Sequence, residues 1–155
     1  MRSLPIPKLS DIRYFECKGP WDTKSGGVLN VLFAIPDEEL AGFFVKSPIS
    51  GFRIYQVSNP EIEKPGGMEW HIYRQEIVLV PRGRVEWIFE DAWGNKIKFV
   101  QDNSVAVWIP GYIVHSYKAL DECSIIVIAN TLYDPVDPET YDTYVREKLF
   151  ELIPK

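Results

Sequence analysis

The chain has 155 residues, of which 46% are hydrophobic and 14% aromatic, so it can bury the core of one domain. This composition excludes an intrinsically disordered protein. The formal net charge is −5 and no basic block is present, which argues against nucleic acid as a partner. No apolar run approaches the roughly 18 residues of a membrane helix, and the N-terminus lacks a secretory signal. We therefore expect a cytoplasmic protein without a membrane partner.

Twelve prolines and ten glycines divide the sequence into short segments, a pattern that favours strands over helices. Apolar runs and alternations predict strands, in chain order, over residues 28–35, 52–58, 76–80, 84–89, 96–100, 104–109 and 124–129. Turns are predicted at residues 81–83 (PRG), 93–95 (WGN) and 110–111 (PG). The nearly all-apolar run at 124–129 predicts a central strand that is covered on both faces. Short strands separated by turns indicate an all-β sandwich or barrel.

The C-terminal segment has a different pattern. Asp137 is a good helix cap and Pro138 a good first helical residue. Apolar and aromatic residues then recur at helical spacing, namely Tyr141, Tyr144, Val145, Leu149 and Leu152. The pattern predicts an amphipathic helix over about 137–152 that packs on the barrel or on a partner subunit.

The chain has only two histidines, and each lies in an informative frame. The first frame runs from residues 67–71 (GMEWH) through Glu76 to Gly83, and the second spans residues 110–115 (PGYIVH). Residues 69 and 71 are two apart on an extended segment, so both side chains point to one face. His115 comes from a distant strand and joins them only if the sheet closes into a barrel. We therefore expect one pocket that is lined by Glu69, His71, Glu76 and His115.

These two frames resemble the sequence motifs of the cupin superfamily. The first motif of that superfamily is His-x-His followed by Glu and Gly, and the second is a Pro-containing turn followed by His. Glu69 stands where the first motif has its first histidine. The resemblance implies an all-β, double-stranded β-helix (jelly-roll) barrel. We expect a single cupin domain over residues 1–155, with the barrel at about 20–133 and the C-terminal helix after it.

Three further stretches narrow the match: residues 52–57 (FRIYQV), 128–135 (IANTLYDP) and 141–144 (YDTY). They are similar to the WxcM-like family of dTDP-sugar 3,4-ketoisomerases. The resemblance implies a homodimer that exchanges N-terminal strands and serves deoxysugar biosynthesis. It also implies a metal-free isomerase that moves the carbonyl of a dTDP-4-dehydro-6-deoxyhexose from C4 to C3. In that family a histidine of the His-x-His motif shuttles the proton. His71 matches the second histidine of the motif, and Tyr55 matches the tyrosine of the preceding strand.

The sequence departs from that family at three positions. The family arginine falls at Gly66 or Pro65, Glu69 replaces a histidine, and Glu76 stands where the family usually has Gln. Loss of the arginine removes an anchor for a pyrophosphate. The two added carboxylates make the pocket more suitable for a metal ion.

Three functions remain open on this basis. The first is a metal-free sugar keto-isomerase or epimerase that binds a sugar or a nucleotide-sugar, with His71 as the base, Glu69 as a second acid–base group and Tyr55 orienting the sugar. The residues expected to contact its substrate are Arg53, Arg74, Arg84, Trp70, Trp108 and His115. The two tryptophans would stack on a ring, although core packing is the more common role of a tryptophan.

The second function is a metal-dependent cupin enzyme, either an isomerase or a dioxygenase that acts on a small molecule. Its ligands would be Glu69, His71, Glu76 and His115, holding one divalent transition metal: iron, manganese, zinc or nickel. The third is a sugar-binding cupin without catalytic activity, because a fold does not fix a function.

Overall fold

The computed structural model describes residues 5–153. Over this range the chain forms twelve strands: β1 Arg13–Glu16, β2 Lys18–Asp22, β3 Val28–Val31, β4 Ser50–Ser58, β5 Gly66–Trp70, β6 Glu76–Arg82, β7 Val85–Glu90, β8 Lys96–Gln101, β9 Val105–Ile109, β10 Val114–Ala119, β11 Ser124–Thr131 and β12 Tyr144–Val145. Its two short α-helices are α1 Asp37–Leu40 and α2 Arg146–Phe150. Three 3-10 turns lie at Leu9–Asp11, Ala41–Phe43 and Pro138–Thr140.

Ten of the strands form two five-stranded antiparallel sheets. One sheet has the order β1-β9-β6-β11-β4 and the other the order β12-β5-β10-β7-β8, while β2 and β3 pair separately as a hairpin. Buried side chains from both sheets meet in one apolar core, which includes Val78, Val107 and Ile125 from the first sheet and Val85 and Phe89 from the second. Two sheets that share such a core form a jelly-roll sandwich. The predicted all-β cupin-type fold is confirmed.

The period of two along the strands determines which side chains enter the barrel. In β4, for example, Arg53, Tyr55 and Val57 are partly buried, whereas Phe52 and Ile54 between them are exposed. In β6 the inner positions are Glu76, Val78 and Val80, which are all buried. Polar and apolar inner side chains therefore follow each other along the same strands.

The C-terminal helix is shorter than the predicted range of 137–152. Asp137 does cap, since its carboxylate accepts the N–H of Glu139, but it starts only a 3-10 turn. Tyr144 and Val145 then pair with Trp70 and Glu69 of β5, and the helix runs from Arg146 to Phe150. The helical spacing was misleading because pairing with a sheet edge satisfies the backbone of this segment instead.

Several strands also differ in their bounds from the predicted ones. The strand expected over 28–35 ends at Val31, and β6 continues through Pro81 to Arg82 instead of ending at the predicted turn. Strand β11 is central, between β6 and β4, but its outer residues Ile126 and Ile128 are only partly buried. Strands β1, β2 and β12 had no predicted counterpart, and β5 and β10 were expected only as the extended segments that carry Glu69 and His115. No helix within residues 5–153 is long and apolar enough to cross a membrane.

Candidate active site at one end of the barrel

The site begins with two strands of one sheet. Glu69 of β5 and His115 of β10 are direct partners in the antiparallel ladder, which places their side chains on the same face. His71 follows immediately after β5, and its ring lies 5.1 Å from that of His115, centroid to centroid. The ligand atoms of Glu69, His71 and His115 all lie within 4.8 Å of one another. The predicted convergence of these three side chains is present in the fold.

The glycines of the two sequence frames permit this approach. Gly67 has a φ of 76°, a conformation that favours glycine, and a Cβ there would be 2.8 Å from the carbonyl oxygen of His115. Gly111 lies so close to the chain after β5 that a Cβ there would be 2.7 Å from the carbonyl oxygen of Ile72. The next residue, Tyr112, donates its N–H to the carbonyl of His71 at 2.8 Å. The second sequence frame (residues 110–115) thus holds the backbone of the first frame in place at His71.

Glu76 connects the two sheets at the centre of the site. Its Oε1 accepts a hydrogen bond from the hydroxyl of Tyr55 at 2.8 Å. The same oxygen lies 3.6 Å from Nε2 of His71 and 3.6 Å from Nη1 of Arg74. Oε2 lies 3.5 Å from Nε2 of His115. The carboxylate is 4% exposed, so these four neighbours replace water around a buried charge.

The protonation states of this group follow from burial and neighbouring charge. Burial lowers the pKa of His71 to about 3, although the Glu76 carboxylate beside it acts in the opposite direction. Burial alone would raise the pKa of Glu76, but His115, His71 and Arg74 together with the Tyr55 hydrogen bond hold that pKa at about 2. Burial and the same carboxylate raise the pKa of Tyr55 above its ordinary value of 10. At neutral pH, His71 is therefore uncharged, Glu76 ionised and Tyr55 protonated.

A cavity of about 710 Å³ opens beside this group. It is lined by side chains from both sheets and from the C-terminal segment: Arg53, Tyr55, Glu69, Arg74, Tyr133, Tyr141 and Thr143. Its volume is typical of a site for a small organic ligand. His71, Glu76 and His115 are buried behind these lining side chains and are each at most 5% exposed.

Two arginines give the cavity a positive character within an acidic protein. The guanidinium of Arg53 lies over the rings of Tyr55 and Tyr133, at 4.9 Å and 5.4 Å from their centroids. Its Nε and Nη2 are buried and have no hydrogen-bond partner among residues 5–153, and the same holds for Nε of Arg74. Burial and the charge of Arg74 lower the pKa of Arg53. Two close cations with unused donors form a suitable environment for an anionic ligand.

Three other residues that the sequence nominated lie outside the cavity. Arg84 pairs with Asp121 at 2.8 Å, beyond the end of β7 that is remote from His115. The indole of Trp70 donates to the carbonyl of Val145, and that of Trp108 donates to Gln75. Both tryptophans belong to buried apolar clusters on the outer faces of the sheets. They serve packing, which is the more common role of tryptophan.

The sequence interpretation missed four residues of the site, all from the C-terminal part of the chain. Tyr133, Tyr141 and Thr143 line the cavity, and Asp142 binds the loop that follows β5. The helix predicted over about 137–152 includes Tyr141, Asp142 and Thr143, and of these only Tyr141 belongs to its apolar spacing. The one signal that singled them out was the likeness of residues 141–144 to a family motif.

The donor set near the cavity is compatible with a divalent metal ion. Glu69, His71 and His115 offer one carboxylate and two imidazole ligand atoms, and Nε2 of His71 is buried without a hydrogen-bond partner in the described residues. Such a mixed set suits transition metals. Glu76 is less available as a fourth ligand, because Tyr55 and Arg74 already occupy the surroundings of Oε1.

Comparison with known proteins adds information on the fold. The sequence matches no protein-family model and no curated protein. The structure is similar to a TDP-quinovose 3,4-ketoisomerase from Campylobacter jejuni, with a TM-score of 0.68, 15% identity and coverage of 92% of this chain and 99% of the other. It is also similar to a sugar 3,4-ketoisomerase from Thermoanaerobacterium thermosaccharolyticum that was solved in complex with TDP, with a TM-score of 0.67, 16% identity and coverage of 93% and 95%.

A third similar structure is a 3,4-ketoisomerase from Helicobacter canadensis, with a TM-score of 0.66, 14% identity and coverage of 91% of this chain and 96% of that one. The alignments span nearly the whole of every chain. At these identities they establish a shared fold, the one that the two histidine frames predicted. The activity of this chain has to be argued from its own site.

Proposed function

We propose that this protein is a sugar isomerase that acts on a nucleotide-linked ketosugar, with a dTDP-4-dehydro-6-deoxyhexose as the expected substrate. The observation that carries the proposal is an uncharged histidine, His71, whose Nε2 has no hydrogen-bond partner in the described residues, next to a cavity lined by two arginines, Arg53 and Arg74. A neutral imidazole can accept a proton, and paired cations can bind a diphosphate. The fold is shared with several ketoisomerases, which supports the same reaction class.

The reaction requires two proton transfers on neighbouring carbons. The carbonyl at C4 makes the C3–H bond acidic. A base removes this proton, the electron pair forms a C3–C4 double bond, and the oxygen at C4 gains a proton, which gives an enediol. The hydroxyl at C3 then loses its proton and becomes the new carbonyl while C4 gains a proton. No atoms are lost, and no oxidant is needed.

The side chains of the site match these steps. His71 is assigned as the base, because it is uncharged at neutral pH. Glu69 lines the cavity and lies within 4.8 Å of the histidine ligand atoms, so it is assigned the second proton transfer. Tyr55 lines the cavity as a protonated hydroxyl and is assigned to orient the sugar oxygens. His71 itself is 2% exposed, and Glu69 and Tyr55 are the members of this group that line the cavity.

Solvent isotope exchange tests this proposal. The protein is mixed with a dTDP-4-dehydro-6-deoxyhexose in heavy water, and deuterium at C3 and C4 is followed by NMR. The proposal predicts deuterium at C4 of the 3-keto isomer and at C3 of the recovered 4-keto substrate. A substrate that binds with neither exchange nor conversion to the 3-keto isomer would support a sugar-binding cupin instead and would overturn the isomerase assignment.

We also propose that the protein forms a homodimer in which the hairpin of β2 and β3 docks on a second copy. All but one of the hairpin's strand residues are exposed, and they include the apolar residues Trp21, Val28 and Leu29. In the described residues the outer edge of β4 carries no neighbouring strand. Phe52 and Ile54 of that strand are both more than half exposed. An apolar hairpin and an unpaired apolar edge on the same molecule complement each other between two copies.

Light scattering after size-exclusion chromatography tests the dimer. The expected mass is twice the 17.9 kDa of one chain. Ile54→Lys should shift the population towards monomer, because it introduces a charge on the proposed edge. Ile88→Lys, on an exposed position of the other sheet, is the matched control and should leave the mass unchanged. A monomeric wild-type protein would refute the proposal.

The cluster of Glu69, His71 and His115 supports a second candidate function, a metal-dependent cupin enzyme. A bound divalent ion would act as a Lewis acid on a substrate oxygen. Elemental analysis of protein prepared without chelator or affinity tag distinguishes the two candidates. About one transition metal per chain, lost in His115→Ala, would favour this second function. No metal after incubation with iron, manganese, zinc and nickel salts would favour the metal-free isomerase.

A further inference from the structure

The C-terminal residues 141–143 hold two residues of the site by separate contacts. Arg74 donates through Nη2 to the carbonyl of Tyr141 at 3.1 Å, with the hydroxyl of Thr143 at 3.5 Å from the same nitrogen. Between these two residues, Asp142 is 7% exposed and has a φ of 38°, in the left-handed region that non-glycine residues seldom adopt. A buried aspartate in an unfavourable backbone conformation indicates that its contacts over-determine this position.

The carboxylate of Asp142 binds the loop that joins β5 to β6. Oδ1 accepts the N–H of Ile72 at 2.9 Å, and Oδ2 accepts the N–H groups of Tyr73 and Arg74, each at 2.8 Å. Hydrogen bonds from three successive backbone N–H groups to one ionised acceptor are charge-assisted and short. They fix the loop immediately after His71.

The backbone carbonyl of the same residue contacts the imidazole. The oxygen of Asp142 lies 2.7 Å from Nδ1 of His71. A carbonyl oxygen can only accept, so Nδ1 must carry the hydrogen. In a neutral imidazole this leaves the lone pair on Nε2, which is the nitrogen that faces Glu76. The second ring nitrogen thereby carries a lone pair that no described residue uses as a hydrogen-bond acceptor.

We infer that Asp142 is a positioning residue that fixes the tautomer and the orientation of His71. Its carboxylate binds the loop that follows His71, and its carbonyl binds the imidazole. A single residue therefore fixes both the backbone next to His71 and the orientation of the ring. Asp142 does not line the cavity and is not expected to contact substrate. The catalytic part of this inference rests on the proposed role of His71 as the base, whereas the tautomer itself can be measured without any activity.

The experiment compares Asp142→Ala and Asp142→Asn with a substitution at a control aspartate, Asp91, which is also buried and also accepts backbone N–H groups. Asp91 is 1% exposed, and its Oδ1 accepts the N–H groups of Trp93 and Asn95 at 3.0 and 3.1 Å in the turn between β7 and β8. Asp91→Asn therefore makes the same substitution in a comparable backbone acceptor that does not touch His71. His115 is an internal control, because its Nδ1 donates to the carbonyl of Ile113 at 3.0 Å, independently of Asp142.

Nitrogen NMR of the chelator-treated protein reads the tautomers directly. The chain has only two histidines, so His115→Gln assigns both signals. We expect the Nδ1–H tautomer at both histidines in the wild type and in Asp91→Asn. In Asp142→Ala and Asp142→Asn we expect His71 to populate the Nε2–H form while His115 is unchanged. The same variants should lose about 10- to 100-fold in kcat for isotope exchange with KM altered less than threefold.

Each outcome separates the inference from the proposed function. An Nδ1–H tautomer of His71 and a wild-type kcat in both folded Asp142 variants would overturn the inference. The same tautomer loss in Asp91→Asn would also overturn it, because the effect would then reflect general destabilisation. If Asp142→Ala does not fold, Asp142→Asn retains one acceptor oxygen and the comparison is made with it. Tautomer loss in variants of a wild-type protein that catalyses no exchange would support the inference and refute the isomerase.

Discussion

The two ends of the barrel interior are built from the same strands, but charged side chains line one end and apolar side chains line the other. At one end, neighbouring positions of β4, β11 and β6 carry Arg53, Ala129 and Glu76. Four residues further along β11, Ile125 pairs with Val57, and the interior there is a mainly apolar cluster, with the buried amide of Gln101 hydrogen-bonded to Trp87. This separation is roughly 13 Å at the rise of a β-strand. One layer of side chains, with Tyr55 and Val78 beside Val127, separates the two ends.

This comparison shows how a stable sandwich can tolerate a buried charge. The apolar end supplies the hydrophobic free energy of folding, which grows with the apolar area removed from water. The polar end contributes little of that energy, and its charged groups are compensated by one another through the contacts of Glu76 with Tyr55, His71, His115 and Arg74. Substitutions at the polar end should therefore change activity, and substitutions at the apolar end should change the free energy of unfolding.

The largest expected effect is on activity at the polar end. His71→Asn should reduce isotope exchange into the substrate by about 100- to 10,000-fold, the usual contribution of a general base. The free energy of unfolding should change little, because the apolar end is untouched. Exchange measured by NMR and unfolding measured in urea provide the two readings. A fully active His71→Asn protein would exclude His71 as the base.

A smaller effect, on stability, is expected at the apolar end. Ile125 is 1% exposed within the core, so Ile125→Ala should lower the free energy of unfolding by about 2–5 kcal/mol. The folded variant should retain the exchange rate of the wild type, since the cavity residues keep their neighbours. Urea titration and exchange at a temperature where the variant is folded measure both. A selective loss of exchange in the folded variant would show that the two ends are coupled.

The smallest expected effect is a dependence of stability on pH that originates at the polar end. The pKa of His71 is lowered from 6.5 to about 3, so the unfolded chain binds a proton there that the folded protein does not. Stability therefore falls as the pH drops from 6.5 towards 3, by at most about 1.4 kcal/mol per pH unit. The pKa of Glu76 is lowered from 4.5 to about 2, which adds a further loss below pH 4.5.

Urea unfolding between pH 7 and 4 measures this dependence. His71→Asn should flatten the curve between pH 6.5 and 4.5 and should reduce, without abolishing, the loss below 4.5, where Glu76 also contributes. Ile125→Ala should shift the whole curve down without changing its slope. Parallel curves for the wild type and His71→Asn between pH 6.5 and 4.5 would contradict the assignment of a buried, uncharged His71.

Local sequence pattern determined the barrel and the core of the site. The period of two placed Glu69 and His71 on one face, and the two histidine frames predicted that His115 and Glu76 would join them. The placement of Glu69 and His71 on one face could be predicted because strand periodicity is a local property. The convergence with His115 and Glu76 depends on closure of the barrel, which the resemblance of the two frames to the cupin motifs implied.

Tertiary structure alone decided the roles of the tryptophans and of the C-terminal segment. Trp70 and Trp108 have sequence neighbours that suit a binding site, but the layers over the outer sheet faces bury them in apolar clusters. The spacing of residues 141–152 is equally compatible with a helix. Asp142 instead meets its hydrogen-bond donors 68 to 70 residues away in sequence. The physical reason is that the partners of a buried carboxylate, unlike the period of a strand, exist only after the distant segments have packed together.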